Sequence, residues 1–389
     1  MSNTTYFLGA GASAGTVRKD EQVEHQTTGI PIVKNTFISF ASFKQQIRYL
    51  LGNNRLGLVG SEITDEAIKK EFLFYEYIID IENELKYHGT FDTIARKYWL
   101  MGKKKELNRL KFIMNTFFTW LQSSKGIDKR YDKFLSIVLN KSLDNANLPS
   151  ELKFITWNYD IQFELAMLPY TNDIGVFDVL CNKMGVIPYL DNDDPLNNYD
   201  SNRFHFVKLN GIAGVFDLQN SMRSIYDLGI NSSEDISLLK DRMNNFNLNK
   251  LIEFLLTNQD NINDYYIGTL QFAFENSSRQ KKSLEAAKQI MRETTKLIVI
   301  GYSFPYFNRE IDVAILKELP EDAEIVIEDV NPPTEVLNDI LKRQYERKIR
   351  ITTVTDVSQF HIPFDFQHGK FFPERKHEPM YIGAGGQSY

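Results

Sequence analysis

The residues best suited to chemistry stand near the start of the chain, where a short apolar run breaks into small residues. Gly9, Gly11 and Ala14 follow this run and match the G-x-G-x-x-G/A pattern of a turn between a strand and a helix. Backbone N–H groups of such a turn, with the N-terminus of the next helix, hold a phosphate or pyrophosphate. We therefore predict a phosphate-binding turn here, with an ordinary strand-to-helix turn as the alternative.

The sequence after this turn departs from the pattern of a dinucleotide-binding dehydrogenase. Such a unit continues through a helix into a second strand, with an acidic residue about 20 positions after the turn. Residues 18–28 are instead polar and charged, and they lead to Gly29, Ile30 and Pro31, where glycine and proline favour a bend. We therefore expect a loop that folds over a bound nucleotide.

Composition narrows the class of protein. The 389 residues are 42% hydrophobic and 25% charged, which is typical of a globular protein. The net charge of −6 gives no field that attracts nucleic acid, so direct nucleic-acid binding is not expected. No apolar run approaches the ~20 residues of a membrane-spanning helix, and residues 1–15 do not resemble a signal peptide. We expect a cytoplasmic protein without a membrane partner.

The single cysteine, Cys181, restricts the sites that the chain can build. One cysteine cannot form an internal disulfide bond, and it cannot form a four-cysteine zinc site. We therefore expect no structural zinc ribbon, and no metal in the site.

Short apolar runs that end in polar residues or glycine predict the strands of a sheet. Helical patterns at 161–168, 283–294 and 333–347 lie among them. This alternation predicts an α/β protein, with a Rossmann-like parallel six-stranded sheet wrapped by helices. The carboxyl ends of its strands should form one ligand site. The predicted strands are 4–8, 152–156, 204–209, 296–300, 324–330 and 349–354.

Two long stretches between the predicted strands carry no motif that we can match. Residues 38–147 have helical spacing of aromatic and aliphatic residues, a pattern more typical of a core than of cofactor contacts. Residues 216–280 are asparagine-rich and largely helical in pattern. We expect two helical insertions in a single domain spanning 1–389, the first of which caps the nucleotide site. Residues 368–389 are expected to form a C-terminal tail.

Six short motifs, taken in order, resemble those of a sirtuin-like domain. The similarity is closest to the sirtuin-like effectors of bacterial antiphage systems, which destroy cellular NAD instead of deacetylating protein. Deacetylases of this type carry a four-cysteine zinc ribbon, which this chain cannot build. The resemblance therefore implies NAD as a substrate and hydrolysis of its nicotinamide bond. The motifs are FLGAGAS at 7–13, GIP at 29–31, TWNYD at 156–160, KLNG at 208–211, GYSF at 301–304 and NP at 331–332.

The resemblance implies roles for individual residues. Asn158 would lie against the nicotinamide ribose, with Asp160 supporting that site. Asn210 stands where the family has a histidine that is usually assigned as the general base. An amide cannot take up a proton at neutral pH, so we expect activity that is weak or dependent on a partner. The implied catalytic residues are Asn158, Asp160 and Asn210, and the implied NAD-binding residues are Gly9, Ala10, Gly11, Ala12, Ser13, Ile30, Pro31, Gly301, Ser303 and Asn331.

Two histidines are candidates for the missing base. His205 lies five residues before Asn210 on the same predicted strand, about 16 Å away and on the opposite face. His25 belongs to the loop expected after the glycine turn, and it reaches the site only if that loop folds inward. Neither histidine is a natural replacement.

The sequence favours one function and leaves others open. The first is an NAD+ glycohydrolase that releases nicotinamide and depletes NAD in antiphage defence once a partner or phage signal activates it. The second is a catalytically weak sirtuin-like subunit that binds a nucleotide or acts as a scaffold in a defence complex. An unrelated nucleotide hydrolase is a third. Expected partners are NAD, further copies of the chain in a homo-oligomer, and a HerA-like DNA-translocating ATPase.

Overall fold

A computed structural model gives the fold of residues 3–15, 17–20, 23–26, 36–53, 65–141, 146–171, 177–188, 199–218, 221–224, 256, 268–342 and 350–368. The strands are β1 (Thr4–Leu8), β2 (Val17–Asp20), β3 (Val23–Gln26), β4 (Asn140–Lys141), β5 (Ala146–Asn147), β6 (Leu152–Thr156), β7 (Val186–Ile187), β8 (His205–Lys208), β9 (Val215–Leu218), β10 (Ser221–Ser224), β11 (Lys296–Ile300), β12 (Glu324–Glu328) and β13 (Ile351–Val354). The helices are α1 (Thr36–Asn53), α2 (Asp65–His88), α3 (Phe91–Leu100), α4 (Lys104–Lys125), α5 (Lys129–Val138), α6 (Gln162–Met167), α7 (Phe177–Lys183), α8 (Ser278–Glu293), α9 (Arg309–Leu316), α10 (Thr334–Lys342) and α11 (Phe364–His368), with 3₁₀ turns at Ala10–Ser13 and Leu168–Tyr170.

Seven strands form one sheet in the order β13-β12-β11-β1-β6-β8-β7, and every neighbouring pair is parallel. The predicted Rossmann-like α/β fold with a parallel sheet is confirmed. The predicted number of six strands is wrong, because β7 was missed. Its two residues are too few to give a recognisable apolar run, and they form the edge of the sheet beside β8.

The sheet is buried on both faces, which explains the continuous apolar runs of its central strands. In β1, Tyr6 and Leu8 point into a core shared with α1–α6. Phe7 points the other way, into a core shared with α8, α9 and α10. The sheet therefore holds its strand ends between two packed layers.

The first predicted helical insertion folds as α1–α5, followed by a short antiparallel hairpin of β4 and β5. Its aromatic residues pack mainly on each other. The ring of Phe117 lies 5.2 Å from that of Phe40, 5.6 Å from Phe43 and 5.8 Å from Phe91, measured between centroids. The expectation that these aromatics form a core is confirmed for this group.

Some of the other expectations differ from the observed path of the chain, and some concern residues outside the described ones. The loop expected at 18–28 is wrong in part, because β2 and β3 pair there as an antiparallel hairpin. Ile30 and Pro31 lie outside the described residues, as does the C-terminal tail beyond His368. Of the second insertion, the structure describes the antiparallel hairpin of β9 and β10, residue 256 and residues 268–280. Among the helices that it describes, none combines the length and apolar character that crossing a membrane requires.

Candidate functional site

The order in which the chain adds strands to the sheet reverses between β1 and β11. After β1 it passes to β6 on one side, whereas β11, β12 and β13 lie on the other side. In open parallel sheets, ligands bind in the crevice outside the carboxyl ends of the strands at such a switch point. The glycine turn after β1 and the Gly301 turn after β11 both stand at this crevice.

The two turns pack against each other through their backbones. The Gly9 N–H donates to the Ile300 carbonyl and the Gly11 N–H donates to the Gly301 carbonyl, each at 3.0 Å. A Cβ on Gly11 would lie 2.7 Å from the Gly301 Cα, and a Cβ on Gly301, where φ is +59°, would lie 2.4 Å from the Gly11 Cα. Glycine is required here by this close approach.

These bonds correct part of the expectation for the glycine turn. The N–H groups of Gly9 and Gly11 are already paired with protein carbonyls, so they are not bare anion-binding donors. Within the described part of the chain, the Ala10 N–H has no hydrogen-bond acceptor. Ala10 is therefore the donor that the turn can offer to a phosphate.

A cavity of about 180 Å³ opens beside the two turns. We call its two sides the sheet wall and the helical wall. The sheet wall consists of Gly9, Ala10, Ser13, Trp157, Asn158, Tyr159, Asp160, Asn210, Gly301, Tyr302, Ser303, Pro305 and Asn308. The helical wall consists of Thr36, Thr90, Phe91, Asp92 and Phe118.

Asn158 and Asp160, predicted from the TWNYD motif, meet the glycine turn on the sheet wall. The Asn158 Nδ2 donates to the Gly9 carbonyl at 2.9 Å and to the Ser13 Oγ at 3.2 Å. The Ser13 hydroxyl donates to the Asp160 Oδ1 at 3.1 Å and also contacts the Tyr131 hydroxyl at 3.0 Å. Because the Asn158 NH₂ group is used, its Oδ1 is left to accept a hydrogen bond from a ligand.

Asp160 is a buried carboxylate that supports this arrangement from below. Its Oδ1 accepts from the Gln162 N–H at 3.0 Å. Burial raises its pKa, while the charge of Lys208 and these hydrogen bonds oppose the rise. The Lys208 ammonium donates to the Asp160 carbonyl and forms a buried ion pair with Glu164 at 2.6 Å. Asp160, and not Asn158, therefore satisfies the first turn of α6.

Asn210 lies at the end of β8 and is buried. Its Nδ2 donates to the Trp157 carbonyl at 2.9 Å, which ties the end of β8 to the end of β6. Its Oδ1 has no hydrogen-bond partner among the described residues. A buried acceptor without a partner is destabilising by about 1–3 kcal/mol, so this oxygen marks a place where the cavity can receive a donor.

The remaining predicted residues divide into those that reach the cavity and those that do not. Gly301 and Ser303 line it, and Ser303 is exposed. Gly11 and Ala12 lie behind the lining, and Asn331 is an exposed residue whose N–H donates to the Asp329 carboxylate. Asn331 is therefore not brought together with the others.

His205 is packed away from the cavity. Its ring nitrogens lie 3.2 Å from the Gly185 carbonyl and 3.0 Å from the Asp200 carbonyl. Burial lowers its pKa to about 4. His205 is therefore a structural residue, as the strand alternation indicated.

A buried ion pair, whose residues belong to none of the sequence motifs, holds the glycine turn from the helical side. Arg130, on α5, pairs with Asp128 at 2.6 Å and donates to the carbonyls of Gly11 at 2.9 Å and Ala12 at 3.3 Å. Asp128 in turn accepts from the Gly15 N–H at 2.8 Å. No sequence motif indicates this ion pair, because an isolated arginine in a helical pattern suggests a solvated side chain.

A second acid lies beneath two aromatic residues of the sheet wall. The Asp312 carboxylate, on α9, accepts from the Trp157 Nε1 at 3.0 Å and from the Tyr302 hydroxyl at 2.9 Å. Burial raises the pKa of Asp312 to about 8, since these neutral donors only partly replace water. Asp312 therefore fixes the two rings from behind the cavity.

Asp92 is the charged residue of the helical wall. It stands in the first turn of α3 and is half-buried. Burial raises its pKa, while its own backbone and the Tyr159 side chain oppose the rise. Among the described residues that line the cavity there is no lysine, arginine or histidine. The cavity therefore offers carboxylates, amide oxygens and backbone N–H groups.

No family model matches the chain, and a search of curated proteins finds no similar protein. Among the described residues, no three histidine, cysteine, aspartate or glutamate side chains gather as a metal site would require.

Proposed function

We propose that the protein is a sirtuin-like NAD+ glycohydrolase that releases nicotinamide. The observation that carries the proposal is the position of Asn158, whose amide joins the Gly9 carbonyl and the Ser13 hydroxyl beside the switch point. The motif that resembles the family's catalytic asparagine thus lies against the turn that resembles its phosphate-binding loop. The switch point is also where dinucleotides bind in folds of this class.

The polar groups of the cavity suit the nicotinamide riboside half of NAD+. The Oδ1 atoms of Asn158 and Asn210 are acceptors, which match ribose hydroxyls and the carboxamide N–H₂. Asp92 is an acid opposite a substrate whose nicotinamide ring is cationic. The Ala10 N–H is the donor available for the diphosphate. Hydrolysis requires the site to stabilise an oxocarbenium-like ribose and to admit one water molecule.

Removing the Asn158 amide tests the proposal. In Asn158→Ala the contacts that orient the ribose are lost, and because they strengthen in the transition state, kcat should fall about 100-fold or more. The NAD+ affinity should change only a few-fold. Nicotinamide release by chromatography gives kcat, and calorimetry gives affinity.

The matched control is Asn202→Ala, which removes an exposed asparagine outside the cavity lining and should leave kcat unchanged. If wild-type protein neither binds NAD+ nor releases nicotinamide, the proposed function is wrong. Equal kcat values for wild type and Asn158→Ala would remove Asn158 from the site.

A second candidate is a nucleotide-binding or scaffold subunit with little activity of its own. It is favoured by Asn210, which stands where the family has its histidine, and by the lack of a histidine among the described lining residues. The same assay separates the two candidates. A binding subunit takes up NAD+ with measurable affinity but releases nicotinamide no faster than the uncatalysed reaction.

The biological role that we propose is depletion of NAD in bacterial antiphage defence. The resemblance supports this role, together with a homo-oligomeric state and a HerA-like ATPase as partner. Co-expression with a HerA-like ATPase, followed by NAD measurement during phage infection, addresses role and partner together. A constant NAD level during infection, with both proteins present, would contradict the defence role.

A further inference from the structure

We propose that Asp92 is the general base of the reaction, taking the proton that a histidine would take at position 210. The inference rests on the proposed glycohydrolase function, and it assigns the catalytic carboxylate to the helical wall instead of to any of the matched motifs. Asp92 belongs to α3, a helix whose sequence contains no functional motif.

Elimination among the groups that line the cavity leads to Asp92. A general base must accept a proton at neutral pH, which the amides of Asn158 and Asn210 cannot do. Asp160 also lines the cavity, but its side chain is buried and its Oδ1 already accepts from Ser13 and Gln162. Asp92 is the half-buried carboxylate among the described lining residues.

Position and environment agree with this role. Asp92 stands on the helical wall, opposite the strand ends, and its charge acts on Tyr302 of the sheet wall. The Tyr159 side chain opposes the rise in the pKa of Asp92, and the Tyr159 ring stacks on Phe118, with centroids 5.2 Å apart. Burial raises the pKa of Asp92 towards the range in which a carboxylate is an efficient base.

A second observation indicates that the space beside Asp92 receives a ligand. Asn210 lines the same cavity, and its Oδ1 is a buried acceptor with no partner among the described residues. A ribose hydroxyl or the attacking water satisfies this acceptor. The cavity thus offers one group that positions a donor and one that removes a proton.

The proton and electron changes balance without a further reactant. A water oxygen forms the new bond to C1 of the ribose, and one of its protons moves to the Asp92 carboxylate. The bond between C1 and the nicotinamide nitrogen breaks, and its electron pair stays on that nitrogen, so nicotinamide leaves neutral. Asp92 then returns the proton to solvent.

The test compares Asp92→Asn, Asp92→Ala and Asp92→Glu with the control Glu106→Gln. Glu106 is a half-buried acid in the first turn of α4 and is not among the cavity residues, so its loss mimics the loss of a helix N-terminal charge. In Asp92→Asn, kcat for nicotinamide release should fall about 10²–10⁴-fold, with KM within a few-fold of wild type. Glu106→Gln should keep the wild-type kcat.

Chemical rescue separates a base from a structural residue. Added formate should raise kcat of Asp92→Ala at least tenfold without affecting Asp92→Asn, because only alanine leaves room for the anion. Asp92→Glu should keep part of the activity, because it retains a carboxylate. Binding of ADP-ribose by every variant shows that the fold is intact.

Three results would overturn the inference. Asp92→Asn with kcat within threefold of wild type removes Asp92 from the chemistry while leaving the proposed function standing. Equal losses in Asp92→Asn and Glu106→Gln assign the effect to helix stability. Wild-type protein that binds NAD+ but releases no nicotinamide overturns the glycohydrolase function and the role of Asp92 together.

Discussion

The sheet wall of the cavity is held by backbone contacts between strand-end turns, whereas the helical wall is held by side chains packed in a helical bundle. Gly301 of the sheet wall and Gly11, directly behind it, approach so closely that neither position admits a Cβ. On the helical wall, Phe91 and Phe118 extend from the aromatic core around Phe117. The glycine turns of the first wall do not admit a larger residue at these positions, whereas the second wall needs only suitable volume and polarity.

This difference predicts which wall can change its chemical groups without a change of fold. A wall made of backbone turns offers the same N–H and C=O groups to any ligand. A wall made of side chains can exchange an acid for another group without altering the fold. The proposed base lies on the second wall, and the groups that we propose to face the ribose and diphosphate lie on the first.

Replacing Gly301 should give the largest effect on stability and binding, because it disrupts the closest backbone contact of the sheet wall. In Gly301→Ala, the positive φ and a Cβ 2.4 Å from the Gly11 Cα act together, and we expect a loss of about 3 kcal/mol or more in the free energy of unfolding. NAD+ binding should be lost as well, since the two turns must separate. Urea denaturation and calorimetry measure the two effects.

The control for this substitution is Gly102→Ala. Gly102 has a similar φ of +65° but no atom within 4 Å of the added Cβ, so it should cost only about 1–2 kcal/mol. The difference between the two variants is the contribution of the clash. Equal losses would mean that the two turns move apart easily, and the contrast between the walls would fail.

The sheet wall is also the part of the site that the sequence predicted. Gly9, Asn158, Asp160 and Asn210 were placed from short motifs, because each follows a strand whose apolar run is easy to recognise. Their juxtaposition follows from the rule that parallel strands end at one edge. The specific reason for glycine at position 11 could not be predicted, since it depends on Gly301, which is 290 residues away in the sequence.

The helical wall could not be predicted in the same way. Asp92 and Phe118 belong to helices whose periodicity indicates only which residues are buried. The same holds for Arg130, whose contacts with the carbonyls of Gly11 and Ala12 depend on how α5 docks on the sheet. Packing of helices on a sheet is set by many weak contacts, and no short motif encodes it.

Asp312 gives an effect that depends on pH, and it tests how firmly the sheet wall is fixed from behind. Its pKa is raised to about 8 in the folded state, against about 3.9 in an unfolded chain. Between these values the folded state binds the proton and the unfolded state does not, so stability falls as pH rises from about 4 to 8. Asp312→Asn imitates the neutral acid and should lack this decline.

The measurement is the free energy of unfolding of wild type and Asp312→Asn at several pH values. The difference between the two proteins should change by up to about 1.4 kcal/mol per pH unit within this window, with the variant favoured at the alkaline end. Below pH 4 the two should converge. A difference that does not vary with pH would mean that Asp312 is ionised in the folded protein and that the two rings are held in another way.

Thr90 gives the smallest expected change in stability, and it tests the helical wall. Its Oγ1 accepts from the Thr93 N–H at 3.2 Å and caps α3 directly before Asp92. Thr90→Ala should lower the free energy of unfolding by about 1 kcal/mol, while Thr90→Ser keeps the cap and should match wild type. If local capping positions the base, kcat should fall several-fold in Thr90→Ala, and NAD+ affinity should be retained. A stability loss with unchanged kcat would show instead that the helical wall tolerates fraying at its edge, so that Asp92 is positioned by Tyr159 and the surrounding packing and not by the helix end.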